Sequence, residues 1–239
     1  MKKGFSVLCF LFLTVTSFAQ VKSNNKAQLL DLSGSIGSNQ GSVAASYIHN
    51  WHLGKKQKFS IGAGARFTSY FGSNQYFITA PAKITSGATG PGVLFKENIQ
   101  ANLDSLLVSS ASMNALNLSI NLGYRITSKL TAGFNIDAIG FSFGGEKAAK
   151  YVNGTTVTNT TAKPTGFNAL LISDNDLGTL NSELFAAYAF NKKWSAKLGF
   201  QFLFTEYTTT TMVQQFPEPN DRFRNKVSAV VFGVRYQLQ

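Results

Sequence analysis

Residues 113–145 alternate strictly between apolar and polar side chains, and no other feature of the chain constrains its fold as much. In the first run the apolar positions are Leu116, Leu118, Ile120, Leu122, Tyr124 and Ile126. The positions between them are small, polar or charged, namely Ala115, Asn117, Ser119, Asn121, Gly123 and Arg125. After a tight turn at 127–129, a second run over 130–138 alternates in the same way. A period of two predicts a β-hairpin with one apolar and one polar face.

The polar face of this hairpin indicates a barrel that lies in a membrane. A soluble barrel packs its apolar face inward, whereas a membrane barrel turns that face to lipid and lines its lumen with polar side chains. After the N-terminal segment, the sequence has nothing near the roughly 18 consecutive apolar residues of a membrane helix. Because only helices and closed barrels satisfy every backbone group in lipid, we expect the chain to cross a membrane with strands.

The N-terminal segment, residues 1–19, has the pattern of a cleavable Sec signal peptide. Lys2 and Lys3 precede an apolar run, which ends in a small-residue cleavage site at Ala19. A signal peptide followed by a barrel domain over 20–239 predicts export to the outer membrane of a Gram-negative bacterium.

The single cysteine, Cys9, lies inside that signal segment. Its removal would leave no thiol chemistry, disulfide or cysteine metal site in the mature chain. A lipoprotein signal is the alternative interpretation. A lipidated cysteine ends the apolar run, however, and Cys9 is followed by Leu11, Phe12 and Leu13.

The formal net charge of +11 does not predict nucleic-acid binding. Two of the basic residues belong to the signal segment, and many others sit in short turns such as 55–56 and 192–193. A basic chain can equally contact the anionic phosphates at a membrane face.

The whole chain divides into eight strand-like segments, each long enough to cross a membrane as a tilted strand. They are 28–38, 42–53, 58–72, 112–126, 129–143, 178–191, 193–207 and 225–238. Short connections alternate with long ones over 72–111, 144–177 and 208–225, as short periplasmic turns and long extracellular loops do in membrane barrels. The connection at 38–41 is short and does not follow this trend. We therefore predict an all-β, eight-stranded antiparallel up-and-down transmembrane β-barrel.

Aromatic side chains cluster near the short turns and predict a girdle at the periplasmic interface. The predicted girdle comprises Trp51, Phe59, Tyr124, Tyr188, Phe190, Trp194 and Tyr236. A general preference of aromatic residues for strands is the alternative explanation. Their matched distances from the turns favour the girdle.

Three segments resemble a known family: Ser17-Phe18-Ala19-Gln20, the hairpin over 118–134 and the closing strand over 230–238. The chain resembles the small outer-membrane β-barrel family, OmpA/OmpX-like in size and in the form common in Bacteroidetes-type bacteria. The resemblance covers essentially the whole mature chain. It implies that outer-membrane lipids surround the protein and that the barrel-assembly machinery inserts it. Such proteins usually end in an aromatic residue, whereas this chain ends in Leu238-Gln239.

Charged residues at inward-facing positions predict a lumen held by ion pairs. They are Asp31, Arg66, Arg125, Asp137, Glu183, Lys197 and Arg235. Side chains fill the interior of an eight-stranded barrel, and each unpaired buried ion costs several kcal/mol. We predict two clusters, with Arg66, Asp137 and Glu183 at mid-depth and the others nearer the short turns. A static polar plug is favoured over a gate whose pairs exchange to admit small ions.

The sequence offers no catalytic constellation, so we do not expect an enzyme, a cofactor or a bound metal. Barrel enzymes keep their catalytic groups near the outer rim, whereas His49 and His52 both lie at the short-turn end of the second strand. His49 shares its parity with Trp51 and should face outward, and His52 should face the lumen mouth.

We predict an integral outer-membrane protein with a structural or interaction role, either supporting the envelope or binding an extracellular ligand through its long loops. A porin-like small-solute pore or transporter is the alternative, with ten strands if 76–79 and 92–96 form a hidden hairpin in loop 72–111. A soluble periplasmic lipocalin-like carrier or a barrel enzyme fits the outer faces less well.

Overall fold

The computed structural model describes residues 26–172 and 175–238, and the predicted signal peptide lies outside this part of the chain. The strands are β1 Lys26–Gly37, β2 Gln40–Leu53, β3 Phe59–Thr79, β4 Ser105–Arg125, β5 Leu130–Phe143, β6 Lys147–Asn153, β7 Thr156–Pro164, β8 Phe167–Ala169, β9 Leu180–Ala189, β10 Trp194–Thr209 and β11 Arg222–Gln237. Between β3 and β4 lie a short helix, α1 (Ala82–Thr85), and 3₁₀ turns at Gly90–Phe95 and Gln100–Asn102. The predicted all-β, antiparallel up-and-down architecture is confirmed. The described residues form eleven strands rather than the predicted eight.

The eight predicted segments pair into a circuit that we call the lower ring. Its strands follow in the order β1, β2, β3, β4, β5, β9, β10 and β11, and every neighbouring pair is antiparallel. β11 then pairs with β1 from Gln237 opposite Leu29 to Val230 opposite Ile36, so the pairing returns to its starting strand. The turns after β2, β4 and β9 define the lower end of the molecule.

A second circuit, the upper ring, continues from four of these strands at the opposite end. It consists of the ends of β3 and β4, the hairpin β6–β7, and the ends of β10 and β11. Phe223 and Arg224 of β11 pair directly with Thr79 and Ile78 of β3 and complete it. β5 and β9 do not reach this level, and the hairpin β6–β7 takes their place between β4 and β10.

The upper ring explains the short connection between β1 and β2. These two strands turn at Gly37–Gln40, where Asn39 adopts a positive φ of 54°. Above this turn, β11 pairs directly with β3. The connection between β1 and β2 therefore does not need to extend into the upper ring. Side chains seal the junction: Tyr70 donates to Gln40 Oε1 at 2.8 Å, and Asn225 donates to the same oxygen at 2.9 Å.

The long connections contain more regular structure than the sequence predicts. The interval 72–111 contributes the ends of β3 and β4, and 144–177 contributes β6, β7 and β8. The ten-strand alternative with a hairpin inside 72–111 is wrong, because 76–79 extends β3 and 92–96 lies mainly in a 3₁₀ turn. The extra hairpin is β6–β7 instead. Within the described residues, no helix is long and apolar enough to span a membrane.

The two faces of the lower ring differ sharply in chemistry. Large apolar side chains cover the outer face and remain exposed, with Leu118 at 60%, Leu198 at 63% and Phe200 at 61%. The inner face is buried and carries mostly polar side chains, including Asn117 at 2% and Gln201 at 1% exposure. The period-two alternation of the sequence therefore becomes an apolar exterior around a polar interior.

Candidate functional site

A buried arginine occupies the middle of the lower ring. Arg66 projects inward from β3, and its Nη2 lies 2.6 Å from Asp137 Oδ1 on β5. Its Nη1 lies 3.8 Å from Glu183 Oε2 on β9. All three side chains are at most 2% exposed. The predicted mid-depth cluster is thus assembled in the structure.

From Glu183 the ion pairing continues across the lumen without a break. Lys197 Nζ on β10 lies 2.8 Å from Glu183 Oε2 and 2.7 Å from Asp31 Oδ1 on β1. Asp31 Oδ2 in turn lies 3.2 Å from Arg235 Nε on β11. The charges alternate in sign along the whole series. We call the six side chains the charge chain: Asp137, Arg66, Glu183, Lys197, Asp31 and Arg235.

Amide groups add hydrogen bonds to the mid-depth charges Asp137, Arg66 and Glu183. Asn117 Nδ2 and the backbone N–H of Asn181 donate to Asp137 Oδ2 at 2.8 and 3.0 Å. Asn135 accepts from Arg66 at 2.7 Å and donates to Glu183 at 3.0 Å. Buried charges are tolerated when both their ionic and hydrogen-bonding capacity is used. Such a network favours a fixed plug over exchanging pairs.

Two sequence predictions about the charges need correction. The charge chain is one connected series rather than two clusters, because Glu183 contacts both Arg66 and Lys197. Arg125 lies apart from it. It sits at the lower end of β4, where its Nη2 donates to the carbonyl oxygen of Gln57 in the neighbouring turn at 2.5 Å.

An aromatic ring that the sequence analysis missed supports the lower part of the charge chain. Phe185 on β9 faces inward, and the cations of Lys197 and Arg235 lie 5.2 and 5.0 Å from its ring centre. Glycines flank it on both neighbouring strands. A Cβ at Gly133 would lie 2.4 Å from the Phe185 ring, and one at Gly199 would lie 2.1 Å from the Leu184 carbonyl oxygen. Phe185 is two residues after the inward-facing Glu183 on the same strand, so the alternation could have predicted that Phe185 also faces the lumen.

The interior of the upper ring is apolar, in contrast to the lumen below it. A buried core joins all of its strands: Tyr70, Phe77, Leu106, Val108, Ala111, Met113, Ala149, Tyr151, Ala162, Leu203, Tyr207, Phe223, Val227 and Ala229. Phe77 and Tyr207 pack edge to face, with ring centres 5.0 Å apart. This core covers the upper end of the polar lumen.

Tyr151 brings a polar contact into the apolar core. Its hydroxyl donates to Asp104 Oδ2 at 2.5 Å. Burial, together with this hydrogen bond to the carboxylate, raises the pKa of Tyr151 to about 12. The hydroxyl therefore stays protonated and holds the β6–β7 hairpin to the segment that precedes β4.

A second, largely buried ionic cluster lies on the side of the upper ring opposite its apolar core. Glu206 accepts from Arg222 Nε at 2.8 Å and from Arg224 Nη2 at 2.7 Å. Both arginines also donate to the backbone carbonyl of Asp176. The cluster ties the segment before β9 to the ends of β10 and β11. The sequence analysis placed Arg222 and Arg224 in a loop and did not predict it.

The predicted girdle residues lie together around the lower end of the outer face. Phe59 stands opposite Tyr124, and Trp194 stands opposite Tyr236 with ring centres 4.8 Å apart. The remaining members, Trp51, Tyr188 and Phe190, lie at the ends of β2 and β9 beside the short turns.

The two histidines lie at the same lower end, as their positions in the sequence predict. The His49 ring contacts the outward-facing Trp51, with centres 4.7 Å apart. His52 pairs with Ser60 of β3 near the lower mouth of the lumen. In the described part of the chain, no group of three or more His, Cys, Asp or Glu side chains could hold a metal ion.

Comparison with known proteins finds neither a matching family model nor a matching curated protein. Among solved structures, neisserial surface protein A is 8% identical at a TM-score of 0.36, with 90% of this chain and 97% of that chain covered. Ail, the attachment invasion locus protein of Yersinia pestis, is 6% identical at 0.36, with 90% and 99% covered. A major outer membrane protein of Thermus thermophilus is 11% identical at 0.36, with 89% and 99% covered. At these scores the likeness decides neither the fold nor the function.

Proposed function

We propose that this protein is an integral outer-membrane β-barrel whose lower ring is the eight-stranded transmembrane part. The observation that carries the proposal is the exposed apolar exterior around a charged, buried interior. Such an arrangement is unfavourable in water, where exposed apolar patches of this extent are avoided, but favourable in lipid. The aromatic side chains at the lower end would lie at the periplasmic interface.

The role that fits this barrel best is structural or interactive rather than transport. The charge chain crosses the lumen from β5 to β11, and the apolar core of the upper ring covers the space above it. A solute would have to break buried ion pairs and then displace packed aromatic rings. The upper ring and the connection between β10 and β11 would instead present exposed apolar side chains to an extracellular ligand, among them Tyr76, Val157 and Phe216.

A lipid-face substitution tests the membrane assignment, because lipid and water predict different effects on stability. Leu118→Arg places a cation on the exposed apolar face of β4. In a membrane barrel we expect a loss of roughly 2–4 kcal/mol of folding free energy in bilayers. The matched control Leu118→Phe should change little. Unchanged stability of Leu118→Arg, with the protein recovered in the soluble periplasmic fraction, would contradict the proposal.

Gel mobility and conductance test the barrel and its plug. We expect the protein in outer-membrane fractions and a mobility shift between unheated and boiled samples in SDS, since folded barrels resist the detergent. In planar bilayers we expect no conductance steps. Regular steps from the unsubstituted protein would overturn the plugged lumen and establish a small-solute pore.

A further inference from the structure

An open furrow of about 640 Å³ lies on the outer face of the lower ring near its lower end. It crosses β10, β11, β1 and β2, which are adjacent strands. Leu30 and Leu32 form its floor, Tyr47 stands on one side, and Trp194 and Tyr236 stand on the other. Its volume falls within the roughly 300–1,000 Å³ of small-molecule sites.

A small side chain lies within the furrow. Ala45 lies opposite Leu32 and takes a position that large side chains occupy elsewhere on this face. The other hollow that we describe on this exterior, beside Leu118 and Phe141, measures only about 250 Å³. The furrow is therefore the larger departure from a smooth surface around a barrel.

Basic side chains flank the lower edge of the furrow. Lys193 Nζ lies 5.9 Å from the centre of the Tyr236 ring, which forms one wall. Lys26 is exposed at the lower end of β1 and shares the outward parity of Leu30. In the described residues of these strands near the furrow, the only acidic side chain is Asp31, and it is buried in the lumen. The apolar furrow thus ends at a cationic margin.

We propose that this furrow binds one anionic phospholipid of the periplasmic leaflet, with an acyl chain between Tyr47 and Trp194 and the phosphate beside Lys193 and Lys26. This inference rests on the membrane orientation proposed above. Charge complementarity favours a lipid phosphate, because each basic residue near such a surface contributes about 1 kcal/mol. A second copy of the chain fits less well, since a two-fold interface would bring these lysines toward their own copies.

Tryptophan quenching tests the site, because the chain has only two tryptophans. Trp51→Phe leaves Trp194 in the furrow as reporter, and Trp194→Phe leaves Trp51 on the outer face as the matched control. Folded protein in neutral micelles is titrated with phosphatidylglycerol brominated on its acyl chains. We expect Trp194 quenching to saturate at a lipid fraction about five-fold lower than Trp51 quenching. Lys26 lies opposite Trp51 and is common to both reporters, so the difference corresponds to the one contact with Lys193.

Two variants in the Trp51→Phe background separate the furrow from its basic margin. Ala45→Phe fills the furrow and should abolish the early saturation. Lys193→Gln should shift half-quenching to about five-fold more lipid. A native mass spectrum of the unsubstituted protein should show one retained phosphatidylglycerol.

Other outcomes overturn the proposal. Equal quenching of both tryptophans would mean ordinary annular contact, and equal saturation by brominated phosphatidylcholine would mean no recognition of an anionic headgroup. A lipid-free dimer would identify a second copy as the occupant. The mobility shift in SDS is measured first on the same samples. If the mobility shift is present but quenching is unselective, only the proposed lipid site is rejected. If the mobility shift is absent and the protein is soluble in water, the membrane barrel is rejected as well.

Discussion

Arg66 is the side chain on which the mid-depth charges depend most. It neutralises Asp137 directly, lies near Glu183 and donates to Asn135, so its removal leaves two buried carboxylates under-compensated. Removing one partner of a buried ion pair costs about 3–5 kcal/mol. We expect Arg66→Ala to lower the free energy of unfolding by that amount, measured by urea unfolding in lipid vesicles.

Arg125 provides the matched control for this prediction. Its side chain is only partly buried and contacts the Gln57 carbonyl rather than a carboxylate. We expect Arg125→Ala to cost about 1 kcal/mol. Equal losses from the two substitutions would show that the charge chain contributes nothing particular to stability.

Tyr151 gives the upper ring a dependence on pH. Its pKa is about 12 in the folded protein against 10.0 ordinarily, so its contribution is complete below pH 10 and is lost as the pH rises towards 12. We expect Tyr151→Phe to lower the free energy of unfolding at pH 8 and to reduce the decrease of this free energy between pH 10 and 12. Some slope should remain, since burial also raises the pKa of Tyr207 to about 12. Urea unfolding at both ends of this range measures the effect. A slope identical to that of Tyr124→Phe, a substitution at an exposed tyrosine, would argue against the assignment.

Parity alone places most of the charged residues correctly. Residues separated by an even number of positions on a strand share a face, and this predicts that Asp31, Lys197 and Arg235 point inward together. The alternation does not predict which of the inward-facing side chains contact each other. Arg125 shares the inward parity but lies at the end of its strand, where a backbone carbonyl of the next turn is within reach. Such a contact depends on turn geometry that a period of two does not contain.

The hairpin β6–β7 is the element that closes the upper ring. It contributes Ala149, Tyr151 and Ala162 to the apolar core. We expect replacement of 147–163 by a short Gly-Ser linker to leave the lower ring folded, with the mobility shift in SDS retained. The melting temperature should fall by roughly 5–10 °C, because a few kcal/mol of apolar burial is lost.

A shuffled hairpin provides the control for this deletion. A chain that keeps the length of 147–163 but scrambles its order should behave like the deletion, because the inward alternation is lost. Loss of the mobility shift in the deletion alone would mean that the lower ring does not fold independently of the upper one.

Breaks in alternation explain why the upper ring escaped prediction. On β3 the inward positions change from even to odd around Asn74, which has a φ of 50°, and β4 changes parity at 109–110. On β5, Ala138 forms a bulge, so that Ile139 faces the outer side instead. A bulge adds one residue and moves all later side chains to the other face. β7 carries threonine and asparagine on both faces and therefore shows little alternation.

The whole molecule combines two interiors of opposite chemistry in one sheet. In the proposed orientation, lipid surrounds the apolar exterior of the lower ring, and the interior holds the polar side chains that the alternation requires. In the upper ring the apolar side chains lie inside instead, because an aqueous exterior favours an apolar core. The change of parity on β3 and β4 falls near the boundary between these environments. These parity changes thus place the aromatic core of the upper ring just above the polar lumen.

This arrangement predicts the orientation of the molecule in the membrane. The natural Cys9 lies in the predicted signal peptide, so the unsubstituted chain serves as a blank for thiol labelling. Thr155→Cys marks the tip of β6–β7, and Lys192→Cys marks the short turn between β9 and β10. We expect a membrane-impermeant maleimide to label Thr155→Cys on intact cells and Lys192→Cys only after lysis. The reverse pattern would place the upper ring in the periplasm, and its exposed apolar side chains would then face a periplasmic partner instead of an extracellular one.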